Sequence, residues 1–337
     1  MTHPTPGRLA AETRRLGQML LVALVASWPP LIAGRIVLGS PAMTILLYAS
    51  IIGFLNTVAG GRRVGAAASV VFLLVAPVAL VVGVNPFAGA CLMALACLFV
   101  GTSAYWQRFG GFGTILVGMA FIMASPASVV NRLDGGPSQT WYLVAVLIGA
   151  ACCAFWPVVV APWMHAVQAI PLDQRYSKPD TIRYVAAITV LVSSSMFYAL
   201  AFARDTNGVW LPLTLIMVLR VGADATRHRA FQRLWGTIAG AAFAAVAASL
   251  VHPQWAIAAL IVIALLGMFA TMGREPYGLF AFFLTTLVLL ATSAGEPVLE
   301  ASYQRVLYTA IGAALALAAY GAKIGIADLV QHRRHTA

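Results

Sequence analysis

The sequence predicts an all-α polytopic membrane protein of about twelve transmembrane helices, arranged as two parallel six-helix repeats with both termini in the cytoplasm. Three observations predict this fold class: the apolar composition, the spacing of the apolar stretches and the distribution of the basic residues. Of the 337 residues, 61% are hydrophobic and only 9% are charged. A soluble domain is usually about a quarter charged, so this much apolar surface indicates a lipid environment.

Twelve apolar stretches follow one another along the chain, and most reach the roughly 17–25 residues that a spanning helix needs. The stretch at 209–221 is shorter, and we interpret it as a half-span or a broken helix. The Ala- and Leu-rich composition favours helices over a barrel of alternating strands. In order, the stretches are 17–38, 42–59, 64–84, 86–104, 113–130, 141–162, 182–202, 209–221, 234–251, 255–272, 277–294 and 306–326.

The basic residues determine the predicted orientation, because loops rich in Lys and Arg stay in the cytoplasm. If all twelve stretches cross and both termini are cytoplasmic, 17 of the 21 Lys and Arg residues lie inside. The four that remain outside are Arg35, Arg132, Arg204 and Arg305. This asymmetry also accounts for the net charge of +11 without a nucleic-acid partner, since the charge is spread loop by loop.

Reporter fusions test the predicted orientation. A cytoplasmic reporter joined at Thr2 and another at Gln331 should both be active, because an even number of crossings returns the chain to the side on which it began. A periplasmic signal from either fusion would show that the number of crossings has been miscounted.

Shifting the chain by 171 residues reveals an internal repeat over positions 41 to 72. The shift places Pro41 on Pro212, Arg62 on Arg233, Gly65 on Gly236 and Phe72 on Phe243, and a shift of 163 places Gly149 on Gly312. Chance matching in an Ala/Gly/Leu-rich chain is the alternative. The repeat predicts a tail at 1–16, a six-helix repeat at 17–162, a cytoplasmic linker at 163–181, a second six-helix repeat at 182–326 and a basic tail at 327–337.

The stretch "RHRAFQRLWGTIAG", residues 227–240, is the first candidate site. On a helix, Arg229, Arg233 and Thr237 fall on one face, so two guanidinium groups would be followed by a hydroxyl. Gly236 and Gly240 form a small-xxx-small pair that lets another helix approach closely. Guanidinium grips carboxylate with two hydrogen bonds, so this face suits an organic anion. The alternative is that the arginines only set orientation and the glycines only pack.

The short segment "NGVWLPLTLIMVLR", residues 207–220, is the second candidate. Gly208 and Pro212 interrupt it, and its repeat partner "GSPAMTILLY" also opens with Gly and Pro. Matched interrupted segments in both halves indicate the central site of a transporter. We expect free N–H groups at the start of this helix, with donors and an aromatic wall from Asn207, Trp210 and Thr214. The alternative is that the segment simply starts a helix after an outside loop.

Several functions are excluded by what the sequence lacks. The sequence has no Walker-type phosphate loop, and no Asp or Glu lies in the middle of a predicted span. It also has no buried Ser/His/Asp set and no metal-ligand spacing of histidines. We therefore expect no enzyme activity, no metal and no cofactor.

Three segments together resemble a known family. The first is "WLPLTLIMVLRVGADATRHRAFQRLWGTIAGAAFA", the second is "YGLFAFFLTTLVLL" with Tyr277 and Thr285, and the third is "EASYQRVLYTAIGA" with Arg305 and Gly312. They resemble the fusaric-acid-resistance-like integral membrane transporters, a family that includes aromatic carboxylic acid efflux proteins. The resemblance is clear over about 181–327 and diffuse over 17–162.

The resemblance implies export of small organic acids across a bacterial inner membrane, often with a periplasmic adaptor of the membrane-fusion type. Together, the two candidate stretches and the family motif give seven substrate-binding candidates: Arg229, Arg233, Thr237, Trp210, Asn207, Thr214 and Tyr277. Pro41, Gly65, Pro212, Gly236, Gly240 and Gly312 are expected to pack helices. Expected partners are the lipid bilayer, a small organic anion, the adaptor and a second copy of the chain. An anion channel on the same scaffold and a major-facilitator-type carrier stay open as alternatives.

Overall fold

The computed structural model describes residues 25, 28–39, 42–105, 113–124, 137–160, 177–204, 206–251, 253–271, 276–292 and 298–335. These residues form helices and turns and contain no β-strand. In chain order the helices are α1 Trp28–Leu38, α2 Met43–Val82, α3 Pro86–Tyr105, α4 Gly113–Ala124, α5 Pro137–Val160, α6 Lys178–Phe202, α7 Trp210–Val218, α8 Ala223–Leu250, α9 Gln254–Thr271, α10 Tyr277–Thr292 and α11 Val298–His335. Pro41 lies outside the described residues.

Four segments in the described part of the chain are long and apolar enough to cross a membrane: Gly60–Val82, Trp141–Val160, Lys178–Phe202 and Ala223–Leu250. Shorter apolar helices accompany them, among them Pro86–Thr102 and Tyr277–Ala291. The all-helical fold predicted from the composition is therefore confirmed for the described residues, and the four segments agree with a multi-pass membrane protein.

Two helices in the second half begin well before the apolar stretches that predicted them. The eighth helix, α8, starts at Ala223 rather than at 234, and α11 starts at Val298 rather than at 306. Hydropathy places the start of a span where charges end, but backbone hydrogen bonds continue through charged residues. Consequently Arg233 lies about three turns inside α8, and Arg305 lies about two turns inside α11.

A kink divides α2 at Gly61, whose φ of 78° and ψ of −178° are not helical. This φ lies in the region that favours glycine, because a Cβ would clash with the following backbone there. Arg62 and Arg63 follow the kink and are exposed, and Gly65 packs against Thr57 across it. The two apolar stretches on either side are thus joined by a bend rather than by a loop.

The chain divides into two compact units. Of the described residues, the first unit contains α1, α2, α4 and α5, and the second contains α3 from Ala90 onward together with α6 to α11. In the first unit α2 packs on both α4 and α5. Its backbone comes so close to α5 that a Cβ at Gly53 would overlap the carbonyl of Ala154. The candidate site residues of the second half all belong to the second unit.

Paired contacts define the helix directions in the second unit. Along α8 and α10, Gly236 meets Gly278 and Gly240 meets Phe282, so the two helices run parallel. Along α7 and α11, Trp210 meets Arg305 and Tyr320 donates a hydrogen bond to the carbonyl of Arg220, so these two also run parallel. Alternate helices of a chain that crosses a layer repeatedly must run parallel, and these contacts agree with that requirement.

The predicted repeat has equivalent packing but not equivalent side-chain environments. The pairing of α2 with α4 and α5 corresponds to the pairing of α8 with α10 and α11. However, Arg62 is exposed whereas its match Arg233 is buried. Gly61, where α2 bends, matches Gln232 in the uninterrupted part of α8. The repeat therefore stays a prediction.

Candidate functional site

The predicted face of α8 is buried against other helices. Arg233, Gly236, Thr237 and Gly240 all lie on the buried side of the helix, and Arg229 is half-buried. A Cβ at Gly236 would overlap the carbonyl oxygen of Gly278, and a Cβ at Gly240 would lie 2.5 Å from that of Phe282. These glycines therefore let the backbones of α8 and α10 approach closely, as a small-xxx-small pair does.

The close approach of α8 and α10 places Tyr277, the first residue of α10, between two arginines of α8. Arg233 donates from Nη1 to the Tyr277 hydroxyl oxygen at 3.4 Å. The guanidinium carbon of Arg229 lies 4.0 Å from the centre of the same ring. We call Arg229, Arg233 and Tyr277 the arginine–tyrosine cluster. The Tyr277 hydroxyl in turn donates to the sulfur of Met217 at 3.6 Å, which joins the cluster to the end of α7.

Arg233 is the most deeply buried charged group of the cluster. It is 1% exposed, and its Nε has no hydrogen-bond partner among the described residues. None of the described carboxylates forms an ion pair with it. A guanidinium stays charged in proteins, and a buried charge costs several kcal/mol unless it is paired. A bound anion would offset that cost.

Two buried hydroxyls lie beyond the cluster on the α8–α10 interface. Thr237, one turn after Arg233, and Thr285 on α10 are both 0% exposed. Neither Oγ1 atom has a hydrogen-bond partner within the described part of the chain. Helical threonines commonly bond the carbonyl four residues earlier, and these two do not. Their hydroxyls are therefore available to a bound group.

A second buried arginine, Arg305 of α11, lies beside the start of α7. The sequence analysis did not name it as a site residue. Arg305 was counted as an outside charge, but it is 0% exposed. Its guanidinium carbon lies 3.6 Å from the centre of the Trp210 ring. The signal that could have revealed it is the helical continuation of α11 through residues 298–305, which would have placed the charge inside a helix rather than in a loop.

Three candidate residues from the stretch 207–220 lie away from the arginines of α8. Trp210 stacks on Arg305 instead. Asn207 is exposed, and its side-chain amide donates to Gln304 on α11 at 3.1 Å. Thr214 is buried, but its hydroxyl donates to the carbonyl of Trp210 at 2.8 Å, and its methyl side packs on Gly312. Asn207 and Trp210 lie at the start of α7 and Thr214 one turn later, whereas the arginine–tyrosine cluster is contacted by Met217 near the other end of this helix.

The prediction of free N–H groups at the start of α7 is wrong. The preceding turn accepts them: Trp210 N–H donates to the carbonyl of Asn207, and Leu211 N–H donates to that of Gly208. Pro212, at the third position of the helix, has no N–H to offer. The start of α7 therefore does not present a backbone donor set to an anion, and the arginine side chains are the stronger candidates.

The fold and the buried arginines define a multi-pass helical membrane protein with charged groups inside a helical bundle. Residues 184–319 match the family model described as "Fusaric acid resistance protein-like". That segment spans most of α6 through to α11 and contains every candidate substrate-binding residue named above. The resemblance drawn from the sequence motifs is thereby confirmed for this region. The comparisons with curated proteins and with solved structures gave no match.

Proposed function

We propose that this membrane protein exports small organic anions, aromatic carboxylates in particular, and that the arginine–tyrosine cluster binds the anion. The observation that carries the proposal is Arg233: a buried guanidinium whose Nε has no partner among the described residues. Carboxylate is the natural partner because its two oxygens match two guanidinium N–H groups. Arg229 on the same tyrosine adds a second positive charge for the same anion.

Aromatic side chains beside the charges support an aromatic substrate. The rings of Tyr277 and Phe280 stack with centres 5.7 Å apart and planes inclined by 28°. An aromatic carboxylate could place its charge on Arg233 and its ring against this pair, since offset stacking of rings is favourable. The match to a fusaric acid resistance protein-like family supports the same substrate class.

Counterflow into proteoliposomes tests the substrate class. Phthalate is a suitable labelled probe because it carries two carboxylates, stays ionised at about pH 8 and so crosses lipid slowly. We expect vesicles loaded with unlabelled phthalate to accumulate labelled phthalate only when they contain the protein. Unlabelled benzoate should compete, whereas benzamide, which has the same ring but no charge, should not.

The outcome of the competition is decisive for the proposed chemistry. Equal competition by benzoate and benzamide would mean that the guanidinium groups do not distinguish a carboxylate from a neutral amide. If vesicles with folded protein accumulate no phthalate and bind none, the proposed function is wrong. Empty vesicles give the rate of leakage that must be subtracted.

An anion channel on the same scaffold is the second candidate, and Arg305 is the observation that favours it. A conducting path needs several weak sites in series, and Arg305 supplies a second buried charge beyond Arg233. A channel should carry a steady phthalate current across a planar bilayer and show no counterflow. A carrier should show saturable counterflow and little current.

The remaining proposals concern location and partners. We place the protein in a bacterial inner membrane with a periplasmic membrane-fusion adaptor, as the family resemblance implies, and we propose a second copy of the chain as a further partner. Purification in mild detergent after crosslinking in cells tests both partners. A monomer that recovers no adaptor, from cells that express one beside it, would oppose these proposals.

A further inference from the structure

Arg305 on α11 lies among groups that point to a ligand. It is fully buried, and Ser302, one turn earlier on the same helix, is only 6% exposed. The Ser302 hydroxyl has no hydrogen-bond partner among the described residues. Trp210 covers one face of the Arg305 guanidinium, and such stacking takes the face of the group, whereas anions bind at the N–H groups on its edge.

Two further unpartnered hydroxyls, those of Thr237 and Thr285, follow Arg233 along the interface of α8 with α10. Along α8, Thr237 is one turn beyond Arg233, and Gly240 comes next and contacts Thr285. Further along, Ala244 and Ala247 belong to an apolar cluster that Val306 packs against. The α8 residues of that cluster, Ala241 to Ala247, lie about 12–21 Å along α8 from Arg233, and Arg305 precedes Val306 directly in α11.

The short helix α7 connects the same two positions on its own side. Trp210 at its start touches Arg305, and Met217 near its end touches Tyr277 of the arginine–tyrosine cluster. Met217 is seven positions after Trp210, which is about 10 Å of helix. Every residue from Leu211 to Ile216 is buried. One end of this buried helix therefore contacts Arg305 directly, and the other end contacts Tyr277, which accepts a hydrogen bond from Arg233.

We propose that Arg305, Trp210 and Ser302 form a second anion site, in series with the arginine–tyrosine cluster. The hydroxyls of Thr237 and Thr285 lie on the route between the two sites. The ligand is the same small carboxylate, so this inference rests on the proposed function. The cluster receives the anion from the side that the sequence predicts to be cytoplasmic, and the second site releases it towards the opposite side.

Side-specific kinetics test the second site. Arg305→Lys keeps the charge but loses the planar edge, so we expect the half-saturating phthalate concentration to rise by about tenfold when phthalate is offered from the predicted periplasmic side. From the opposite side it should change little. Arg183→Lys, at a half-exposed position outside both sites, is the control and should match wild type on both sides.

A neighbouring pair of threonines provides a matched control for the route. Thr285→Val removes an unpartnered hydroxyl, so we expect slower counterflow with unchanged or higher thermal stability. Thr286 is equally buried, but its hydroxyl donates to the carbonyl of Gly240 at 3.3 Å. Thr286→Val should therefore lower stability without slowing counterflow by the folded protein.

The results separate this inference from the proposed function. If wild type gives no phthalate counterflow, the proposed function itself fails. If wild type is active but Arg305→Lys and Thr285→Val both match it from both sides, the second site is wrong and the cluster alone binds the anion. Should Arg305→Lys not fold, Trp210→Phe replaces it, with an expected rise of about two- to fivefold in half-saturation from the periplasmic side. An unchanged value for Trp210→Phe would also overturn the second site.

Discussion

Arg233→Lys is expected to lower phthalate counterflow by about 10- to 100-fold while the protein still inserts and folds. Lysine keeps the positive charge, so the charge pattern that sets orientation is unchanged. It is a compact point charge and cannot offer two parallel N–H groups to a carboxylate. Losing one charged hydrogen bond costs about 1.5–3 kcal/mol, which is roughly one to two orders of magnitude in affinity. The measurement is counterflow per amount of folded protein.

Arg227→Lys is the matched control, because Arg227 lies on the same helix and is exposed. It should behave as wild type. Thr237→Val should give a smaller loss than Arg233→Lys, since it removes a neutral hydroxyl. Wild-type counterflow by Arg233→Lys would mean that this arginine only anchors orientation, which is the alternative reading of the stretch 227–240.

Gly236→Leu is expected to abolish recovery of folded protein. The side chain would have to occupy the space of the Gly278 carbonyl oxygen and lie against Ala281. A backbone carbonyl cannot rotate away, so α8 and α10 must separate. Overpacking a core typically costs about 1–3 kcal/mol, and separation would add the loss of the Arg233–Tyr277 contact. Size-exclusion chromatography and thermal unfolding in detergent measure the effect.

Two controls distinguish steric blockage from a general effect of leucine. Ala239→Leu changes the exposed side of the same helix and should leave folding unchanged. Gly278→Ala adds a methyl group whose nearest neighbour would be the carbonyl oxygen of Gln232 at 3.3 Å, so it should be milder than Gly236→Ala. Recovery of folded Gly236→Leu at the wild-type level would show that the helices are not in this close contact.

Much of the helical layout could be predicted, but the ends of the helices could not. In the described residues each predicted apolar stretch falls on a helix, including the short one now seen as Trp210–Val218. The starts of α8 and α11 were misplaced because a hydropathy pattern weighs side chains, whereas helix continuity depends on backbone hydrogen bonds. That single error moved Arg305 from the interior of a helix to an outside loop.

The candidate site was predicted only as far as one helix face allows. The spacing of Arg233, Gly236 and Gly240 is a local property of a regular helix, so the sequence placed them on one face correctly. Tyr277 was also named, from the family motif. Its position between Arg229 and Arg233 depends on the approach of α8 to α10.

The sequence by itself determined that this protein is helical, lies in a membrane and carries a fusaric-acid-resistance-like motif in its second half. Those properties follow from composition, hydropathy and local spacing, which depend only on the order of residues along the chain. Only the tertiary structure decided which arginines are buried and which aromatic rings they touch. Arg62 and Arg233 matched in the repeat, yet one is exposed and the other buried. Burial depends on what other helices bring near, and Trp210 reaches Arg305 only because α7 and α11 lie side by side.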